Sequence, residues 1–216
     1  MQVASDSDIE AVRRTMGRSG MSSNSRFHIM YVCTANICRS PMAERLAGQR
    51  LRQVLGPAAA RFTLSSAGTS ALQGDDIHPY AVKALESLGA PVDGFRARQV
   101  TAGLLADADL VLTAGREHRA ACVSLEPTTL GRCFTIRQFA RLAETVSGSS
   151  LPIGDPVTRA RHLVAAALRA RGTLQPVAPE FDGVPDPIGR SPEVFADCAQ
   201  LLRQAVGLPL DVIAGG

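Results

Sequence analysis

The sequence predicts an α/β fold built on a parallel sheet. Short apolar runs alternate along the chain with longer amphipathic segments, and this alternation favours parallel strands with helices on both faces. The apolar run at residues 27–32 leads through a polar loop into the amphipathic run at 41–55. Such a loop lies beyond the carboxyl end of its strand, where α/β proteins bind ligands. We therefore expect a three-layer, Rossmann-like domain with a four-stranded parallel sheet flanked by helices.

The remaining elements are predicted from apolar runs and from their Gly and Pro boundaries. Gly56-Pro57 ends the first helix and Gly89 ends the second. Residues 147–152 are predicted to be a loop, and residues 172–186, rich in Pro and Gly, to be irregular. The predicted strands are 27–32, 61–65, 109–113 and 131–136, and the predicted helices are 41–55, 78–88, 101–106, 117–125, 137–146, 158–171 and 193–206.

Composition excludes several classes of protein. Apolar residues make up 45% of the 216 residues, enough for one core, and the net charge of +3 with interleaved acids does not suggest a nucleic-acid binder. No apolar run reaches the roughly 18 residues of a membrane span. Residues 1–26 are polar and lack the apolar centre of a signal peptide. We expect a disordered tail over 1–26, a single domain over 27–210, no membrane insertion and a cytoplasmic protein.

The loop after the first strand has the chemistry of an oxyanion site. Cys33 stands at its start, Arg39 follows six positions later, and Ser40-Pro41 opens the helix. Backbone N–H groups of such a loop, together with the helix dipole, favour an anion and stabilise a Cys thiolate. Arg39 can hold two oxygens of a tetrahedral anion at once, and Ser40 can hydrogen-bond the sulfur. A buried cysteine at the end of a strand is the plainer alternative for Cys33.

The run Cys33-Thr-Ala-Asn36-Ile-Cys38-Arg39-Ser40-Pro-Met-Ala-Glu44 resembles the active-site loop of the low-molecular-weight protein tyrosine phosphatases. The resemblance implies a phosphomonoesterase, acting on phosphotyrosine in a protein, in which Cys33 is the nucleophile and Arg39 binds the phosphate. It also implies a phosphocysteine intermediate and no metal or organic cofactor. The implied phosphate-binding residues are Thr34, Ala35, Asn36, Ile37, Cys38, Arg39 and Ser40.

Two Asp-Pro pairs compete for the role of the acid that protonates the leaving oxygen. Asp186 lies between two prolines, just before the last helix, where an Asx turn is the ordinary alternative. Asp155 leads directly into a predicted helix and is better explained as its N-cap. The resemblance favours Asp186, because the family has an Asp-Pro loop at this place in the chain order.

The resemblance extends to residues around the loop. Asn36 corresponds to an Asn that holds the loop in its strained shape, and Ser66 to a Ser that bonds to that Asn. Arg98 corresponds to a position near the mouth of the site, and His78 to a helix start with a structural role. Phe95 stands where the family often has a His that joins the Asn network, so that link is missing here.

Other departures concern the substrate. Ile188 follows Asp186-Pro187 where many members have an aromatic residue against the phosphotyrosine ring, and Arg190 can attract an acidic peptide or a second anionic group. Extra residues lie around 147–180. The resemblance therefore covers residues 27–140 and 180–206.

The cysteines are not arranged as a disulfide framework. Their number, five, is odd. In the family a Cys at the position of Cys38 can form a reversible disulfide with the nucleophile, which would protect Cys33 from over-oxidation. A small residue packed into the helix is the alternative for Cys38. Cys122, Cys133 and Cys198 lack metal-ligand spacing and are predicted to lie in the core, and we expect no metal site.

Two alternative functions stay open at this point. A thiol-dependent arsenate reductase would use the same loop but needs further cysteines, for which Cys122 and Cys133 lie on a predicted helix and strand. A phosphate-binding module without catalysis would fit the altered residues Phe95 and Ile188, but not the intact catalytic set.

Overall fold

The computed structural model describes residues 25–146, 151–173, 175 and 177–215. Its four described strands form one parallel sheet in the order β2-β1-β3-β4. The strands are β1 Phe27–Cys33, β2 Phe62–Gly68, β3 Leu110–Thr113 and β4 Cys133–Thr135. This confirms the predicted α/β sheet, while most of the predicted tail, residues 1–24, lies outside the described residues.

The helices flank this sheet, and two 3-10 turns, Gly56–Arg61 and Pro127–Gly131, connect elements. Across the described residues, no helix combines the length and the apolar character that a bilayer crossing requires. The helices are α1 Arg39–Leu55, α2 Pro79–Ser87, α3 Ala102–Ala106, α4 Arg116–Leu125, α5 Ile136–Thr145, α6 Pro156–Arg171, α7 Pro179–Asp182 and α8 Pro192–Ala214.

The core lies on both faces of the sheet, because side chains alternate along β1. Ile29, Tyr31 and Cys33 belong to the larger cluster, which packs under α1, α2, α5, α6 and α8. Met30 and Val32 belong to the smaller cluster on the opposite face, with residues of α3 and α4. The result is the three-layer arrangement that the sequence predicts.

Helix α8 is longer than predicted. The predicted end at residue 206 rests on Gly207 and Pro209, which disfavour a helix interior, yet the helix continues to Ala214. Gly207 and Pro209 are both buried, and α8 packs against α1, α2, α5 and α6. Tertiary packing of this face therefore outweighs the local propensity.

The segment predicted to be irregular, residues 172–186, contains the short helix α7. Asp182, at its end, is 2% exposed and forms ion pairs with Arg116 and Arg141. These long-range pairs fix a segment whose local sequence carries only turn signals. The helix predicted at 158–171 begins at Pro156, and Asp155 is its N-cap, accepting from the Thr158 N–H at 2.9 Å.

Candidate active site

Cys33 ends β1, the central strand at which the chain order of the sheet reverses. Its neighbours β2 and β3 lie on opposite sides of it, and such a switch point is the usual ligand site of an open parallel sheet. The Cys33 side chain is 2% exposed, and its Sγ lies 3.0 Å from the Ser40 Oγ. The residues 34–40 that follow, called here the oxyanion loop, lead into the N-terminus of α1.

The carbonyl groups of the oxyanion loop are turned outward by hydrogen bonds. In a trans peptide the C=O and the following N–H point in opposite directions, so these bonds direct the next N–H groups toward the loop centre. The N-terminus of α1 adds unpaired N–H groups there. The bonds are Thr69 N–H to Cys33 O at 2.9 Å, Ser70 N–H to Thr34 O at 3.0 Å, Leu72 N–H to Ala35 O at 3.1 Å and His78 N–H to Ile37 O at 2.9 Å.

Asn36 holds the loop in a strained conformation. Among the described residues it is the one non-glycine with positive φ, at 59°. Its buried Nδ2 donates to the Ser40 Oγ at 2.9 Å and to the Ser66 Oγ at 3.0 Å, and its Oδ1 accepts from the Arg98 N–H at 2.9 Å. Because Ser40 accepts from Asn36, its own proton can go to the Cys33 sulfur at 3.0 Å or to the more distant Ala67 carbonyl at 3.4 Å.

The network continues to a carboxyl group on α1. Ser66 donates to the Glu44 Oε2 at 2.6 Å, and burial raises the pKa of Glu44 despite this bond. Arg98 lies behind the loop, with its Nε donating to the Ser66 carbonyl at 2.8 Å. The backbone N–H of Arg98 thus supplies the third bond to Asn36. Phe95, the residue that stands in place of the family's His, is buried, at 7% exposure.

Gly68 gives the oxyanion loop its room. It pairs with Cys33 in the parallel register of β1 and β2. A Cβ at this position would stand 2.3 Å from the Thr34 carbonyl oxygen and 3.0 Å from the Asn36 nitrogen. Only a residue without a side chain lets β2 approach the loop this closely.

Arg39 connects the oxyanion loop to Asp186. The Arg39 side chain is 8% exposed, and its Nη2 lies 2.6 Å from the Asp186 Oδ2 and 3.3 Å from the Thr34 Oγ1. Its Nη1 donates to the Val184 carbonyl at 3.4 Å. The guanidinium therefore faces both the loop and the segment that carries the carboxylate.

The structure brings Asp186 to the site and leaves Asp155 away from it. The Asp186 loop, residues 183–191, is tied to the residue that follows β3, because the Val184 N–H donates to the Ala114 carbonyl at 2.7 Å. Asp186 also makes the Asx turn that the sequence allows, since its Oδ1 accepts from the Ile188 N–H at 3.2 Å. Its Oδ2 remains for Arg39. Asp155 instead caps α6 and pairs with Arg61.

His118 is a site residue that sequence reasoning missed. It lies on α4 and is 3% exposed, and its Nε2 is 2.8 Å from the Thr34 Oγ1. Burial lowers the pKa of His118, and the charge of Arg39 adds to this effect, whereas Glu117 and Asp186 oppose it. A neutral ring can accept the Thr34 proton, which leaves the Thr34 oxygen to accept from Arg39. Its position just after β3, at the same sheet edge as Cys33, was the available signal.

The Glu117 carboxylate lies on the other side of the His118 ring. Its Oε1 is 2.9 Å from Nδ1, at ion-pair distance but outside hydrogen-bond geometry, and its side chain is 71% exposed. The Glu117 carboxylate is therefore open to solvent.

The remaining predicted residues surround this centre. Ile188 is 46% exposed and Arg190 is exposed, both on the Asp186 loop. Cys38 is the N-cap of α1 and is 3% exposed, and burial raises its pKa, with the nearby Cys33 contributing. His78 caps α2 and its ring stacks on Phe195 at 4.7 Å between centroids, in keeping with a structural role.

The three cysteines that were predicted to be core residues do lie in the core. Cys122 and Cys133 are fully buried in the smaller cluster, and Cys198 is buried in the larger one. The Cys198 Sγ lies 3.8 Å from the Pro185 carbonyl, and burial raises its pKa to about 12. Cys122 and Cys133 are therefore not on an exposed segment that could pass a disulfide outward.

Comparison with known proteins finds a family model that matches most of the chain. The model of the family described as "Low molecular weight phosphotyrosine protein phosphatase" matches residues 28–170. The match includes the whole oxyanion loop, and Asp186 lies beyond it.

Individual relatives agree with the family model. A probable low molecular weight protein-tyrosine-phosphatase, EpsP of Ralstonia solanacearum, is 35% identical over 108 residues, which are 50% of this chain and 69% of EpsP. Wzb of Escherichia coli K12 is 31% identical over 139 residues, 64% of this chain and 84% of Wzb. A solved low molecular weight protein tyrosine phosphatase from T. tengcongensis superposes with a TM-score of 0.60 at 25% identity, covering 83% of this chain and 95% of the other.

Proposed function

Because the chain belongs to the low-molecular-weight phosphotyrosine protein phosphatase family and is a phosphatase, we propose that it hydrolyses phosphotyrosine in a protein through a phosphocysteine on Cys33. The observation that carries this assignment is the placement of Arg39, which faces the oxyanion loop on one side and Asp186 at 2.6 Å on the other. A nucleophile, an oxyanion clamp and an acid thus converge at one edge of the sheet.

In the first step the Cys33 thiolate attacks phosphorus in line with the leaving oxygen. The S–P bond forms as the P–O bond to the tyrosine breaks, and the loop N–H groups with Arg39 stabilise the charge on the equatorial oxygens. Asp186 gives its proton to the leaving phenolic oxygen. Before this step the substrate phosphate displaces the Asp186 carboxylate as the partner of Arg39, and the released carboxylate takes up from solvent the proton that it then donates.

In the second step water replaces the sulfur. Asp186, now ionised, takes a proton from the water as its oxygen bonds to phosphorus, and the S–P bond breaks to give inorganic phosphate and the Cys33 thiolate. Ser40 stabilises the departing sulfur through its hydroxyl, 3.0 Å away. The bond from Asn36 occupies a lone pair of the Ser40 oxygen, so the Ser40 proton is free to bond to the sulfur.

Several features of the substrate and setting follow as part of the proposal. Ile188 is exposed beside Asp186 and can pack on an aromatic ring in place of a larger side chain, and Arg190 favours acidic residues near the phosphotyrosine. A cysteine nucleophile needs a reducing compartment, which supports a cytoplasmic protein. The net charge of +3 with interleaved acids supports a phosphoprotein rather than nucleic acid as the partner. Cys38, which is buried in the same core cluster as Cys33, would protect it by a reversible disulfide.

The mechanism is tested by hydrolysis of p-nitrophenyl phosphate in the presence of a chelator. Wild type should turn over, Cys33→Ser should be inactive, and Asp186→Ala should lose about 10²–10⁴-fold in kcat, the usual contribution of a positioned acid. Asp155→Ala is the matched control, since it removes the other Asp-Pro carboxylate and should keep wild-type kcat.

The contrary results are equally distinct. If wild type binds phosphate without turnover, the protein is a phosphate-binding module and not an enzyme. Turnover by Cys33→Ser would exclude the phosphocysteine intermediate. An equal loss in Asp155→Ala and Asp186→Ala would remove Asp186 from its role as acid. Arsenate reduction with added thiol should be absent, because Cys122 and Cys133 are fully buried.

A further inference from the structure

A second cluster of arginines surrounds a cavity away from the oxyanion loop. The cavity holds about 310 Å³ and lies between α4, β4 with the start of α5, the end of α6 and the chain before α7. This volume is at the lower end of the range for small-ligand sites. Its charged lining residues are Arg116, Arg119, Arg141, Arg171 and Asp182.

Positive charge in this cavity exceeds negative charge. Asp182 pairs with both Arg116 and Arg141, so one carboxylate already serves two guanidinium groups. Within the described residues, neither Arg119 nor Arg171 forms an ion pair with a carboxylate. The cavity therefore carries a net positive charge that its own lining does not neutralise.

Arg171 is held at the cavity without an acceptor for its Nε. Its guanidinium lies over the Phe134 ring, 4.1 Å from the centroid, and its Nη2 makes a long bond of 3.4 Å to the Leu130 carbonyl. The Nε is buried and unpaired within the part of the chain that the structure describes. Burial lowers the pKa of Arg171, and the neighbouring charge of Arg119 lowers it further.

Arg119 is fixed in place by the sheet. Its Nε donates to the Cys133 carbonyl at 2.8 Å. Among the described residues this is the bond that anchors the Arg119 guanidinium beside the cavity.

We propose that this cavity is a second binding site, which takes a phosphate-type oxyanion between Arg119 and Arg171. Guanidinium forks match the oxygens of such a group, and Gln138 lines the same cavity with an amide that can donate. The site is independent of the phosphatase mechanism, because it shares no residue with the Cys33 centre. It borders Asp182, four positions before the proposed acid Asp186.

The test counts bound phosphate on the full chain by equilibrium dialysis with radiolabelled inorganic phosphate at low ionic strength. We expect two phosphates per chain in wild type, one in Arg39→Ala and one in Arg171→Gln, with none in the double variant. Arg119→Gln is the second variant of the site, and each single change should weaken the second site by about tenfold or more, as loss of a charged hydrogen-bond donor does.

Arg169→Gln is the matched control, because Arg169 is exposed on the same helix and makes the same change in charge. It should still bind two phosphates. One phosphate per chain in wild type, or two in both Arg119→Gln and Arg171→Gln with folded circular-dichroism spectra, would overturn the proposal. A loss that is equal in Arg169→Gln would show a general charge effect and overturn it as well.

The source of the oxyanion is resolved in the Arg39→Ala variant, where the second site alone remains. Tighter binding of O-phosphotyrosine than of inorganic phosphate would assign the site to a phosphoryl group carried on a protein. Tighter binding of inorganic phosphate would assign it to a free ion. Binding of neither, at concentrations that saturate the Cys33 site of wild type, would refute a phosphate-type site.

Discussion

Replacing Gly68 with alanine tests how closely β2 supports the oxyanion loop. The added Cβ would stand 2.3 Å from the Thr34 carbonyl oxygen, where ordinary contact begins at 3.4 Å, so the two must separate by about 1.1 Å (3.4 minus 2.3). The atoms in the way, including the Asn36 nitrogen at 3.0 Å, are backbone and have no flexible side chain to turn aside. The oxyanion loop must therefore move.

The movement has two measurable costs. Overpacking of this kind lowers the free energy of unfolding by about 1–3 kcal/mol, which a domain of ordinary stability survives. A displacement near 1 Å in a reacting group costs about 10²-fold in rate. We therefore expect Gly68→Ala to fold, with kcat on p-nitrophenyl phosphate lowered by about two orders of magnitude.

The assay is steady-state hydrolysis together with urea unfolding of the same protein. Gly103→Ala is the control: Gly103 lies inside helix α3, and its Cβ would meet nothing within 4 Å. That change should leave kcat unaltered and raise stability by about 1 kcal/mol or less. Wild-type kcat in a folded Gly68→Ala enzyme would refute the argument that β2 sets the position of the loop.

Three further changes test other parts of the site. Asn36→Ala removes three buried hydrogen bonds and should lower the free energy of unfolding in urea by about 3 kcal/mol; an unchanged urea midpoint would contradict this. Burial lowers the pKa of His118 from its ordinary 6.5, so the unfolded chain takes up that proton first and the stability falls as the pH drops below about 6.5. His118→Gln should therefore lose less stability than wild type between pH 7.5 and 5.5, about one unit to each side of that value. An equal loss in both proteins would exclude His118 as the source of this pH dependence. Asp182→Asn leaves Arg116 and Arg141, whose side chains are 43% and 34% exposed, without their carboxylate. Because solvent reaches both guanidinium groups, the unfolding free energy should fall by about 1–2 kcal/mol, and an unchanged value would show that the pairs do not stabilise the fold.

The sheet and the oxyanion loop could be predicted because their signals are local. Apolar runs of strand length mark the buried strands, and Cys33, Arg39 and Pro41 lie within nine consecutive residues. Even there the predicted helix start at residue 41 was wrong by two positions, since α1 begins at Arg39. The site residues' roles in catalysis stay predictions until the variants are measured.

The parts that escaped prediction depend on contacts between distant residues. The bond from His118 to Thr34 joins residues 84 positions apart, and the one signal for it was the position of His118 just after β3. The extension of α8 past Pro209 and the formation of α7 likewise depend on packing and on the Asp182 ion pairs. Local propensity describes neither, because the stabilising partner lies elsewhere in the chain.

The pairing of Cys33 with Gly68 across β1 and β2 also bears on how the chain folds. A slip of β2 by one residue would bring Ala67 or Thr69 against the oxyanion loop and would invert the faces of the strand. A misregistered sheet would therefore be catalytically silent even if compact. During refolding, recovery of phosphatase activity should report correct alignment of these two strands, later than or together with the return of secondary structure but never before it.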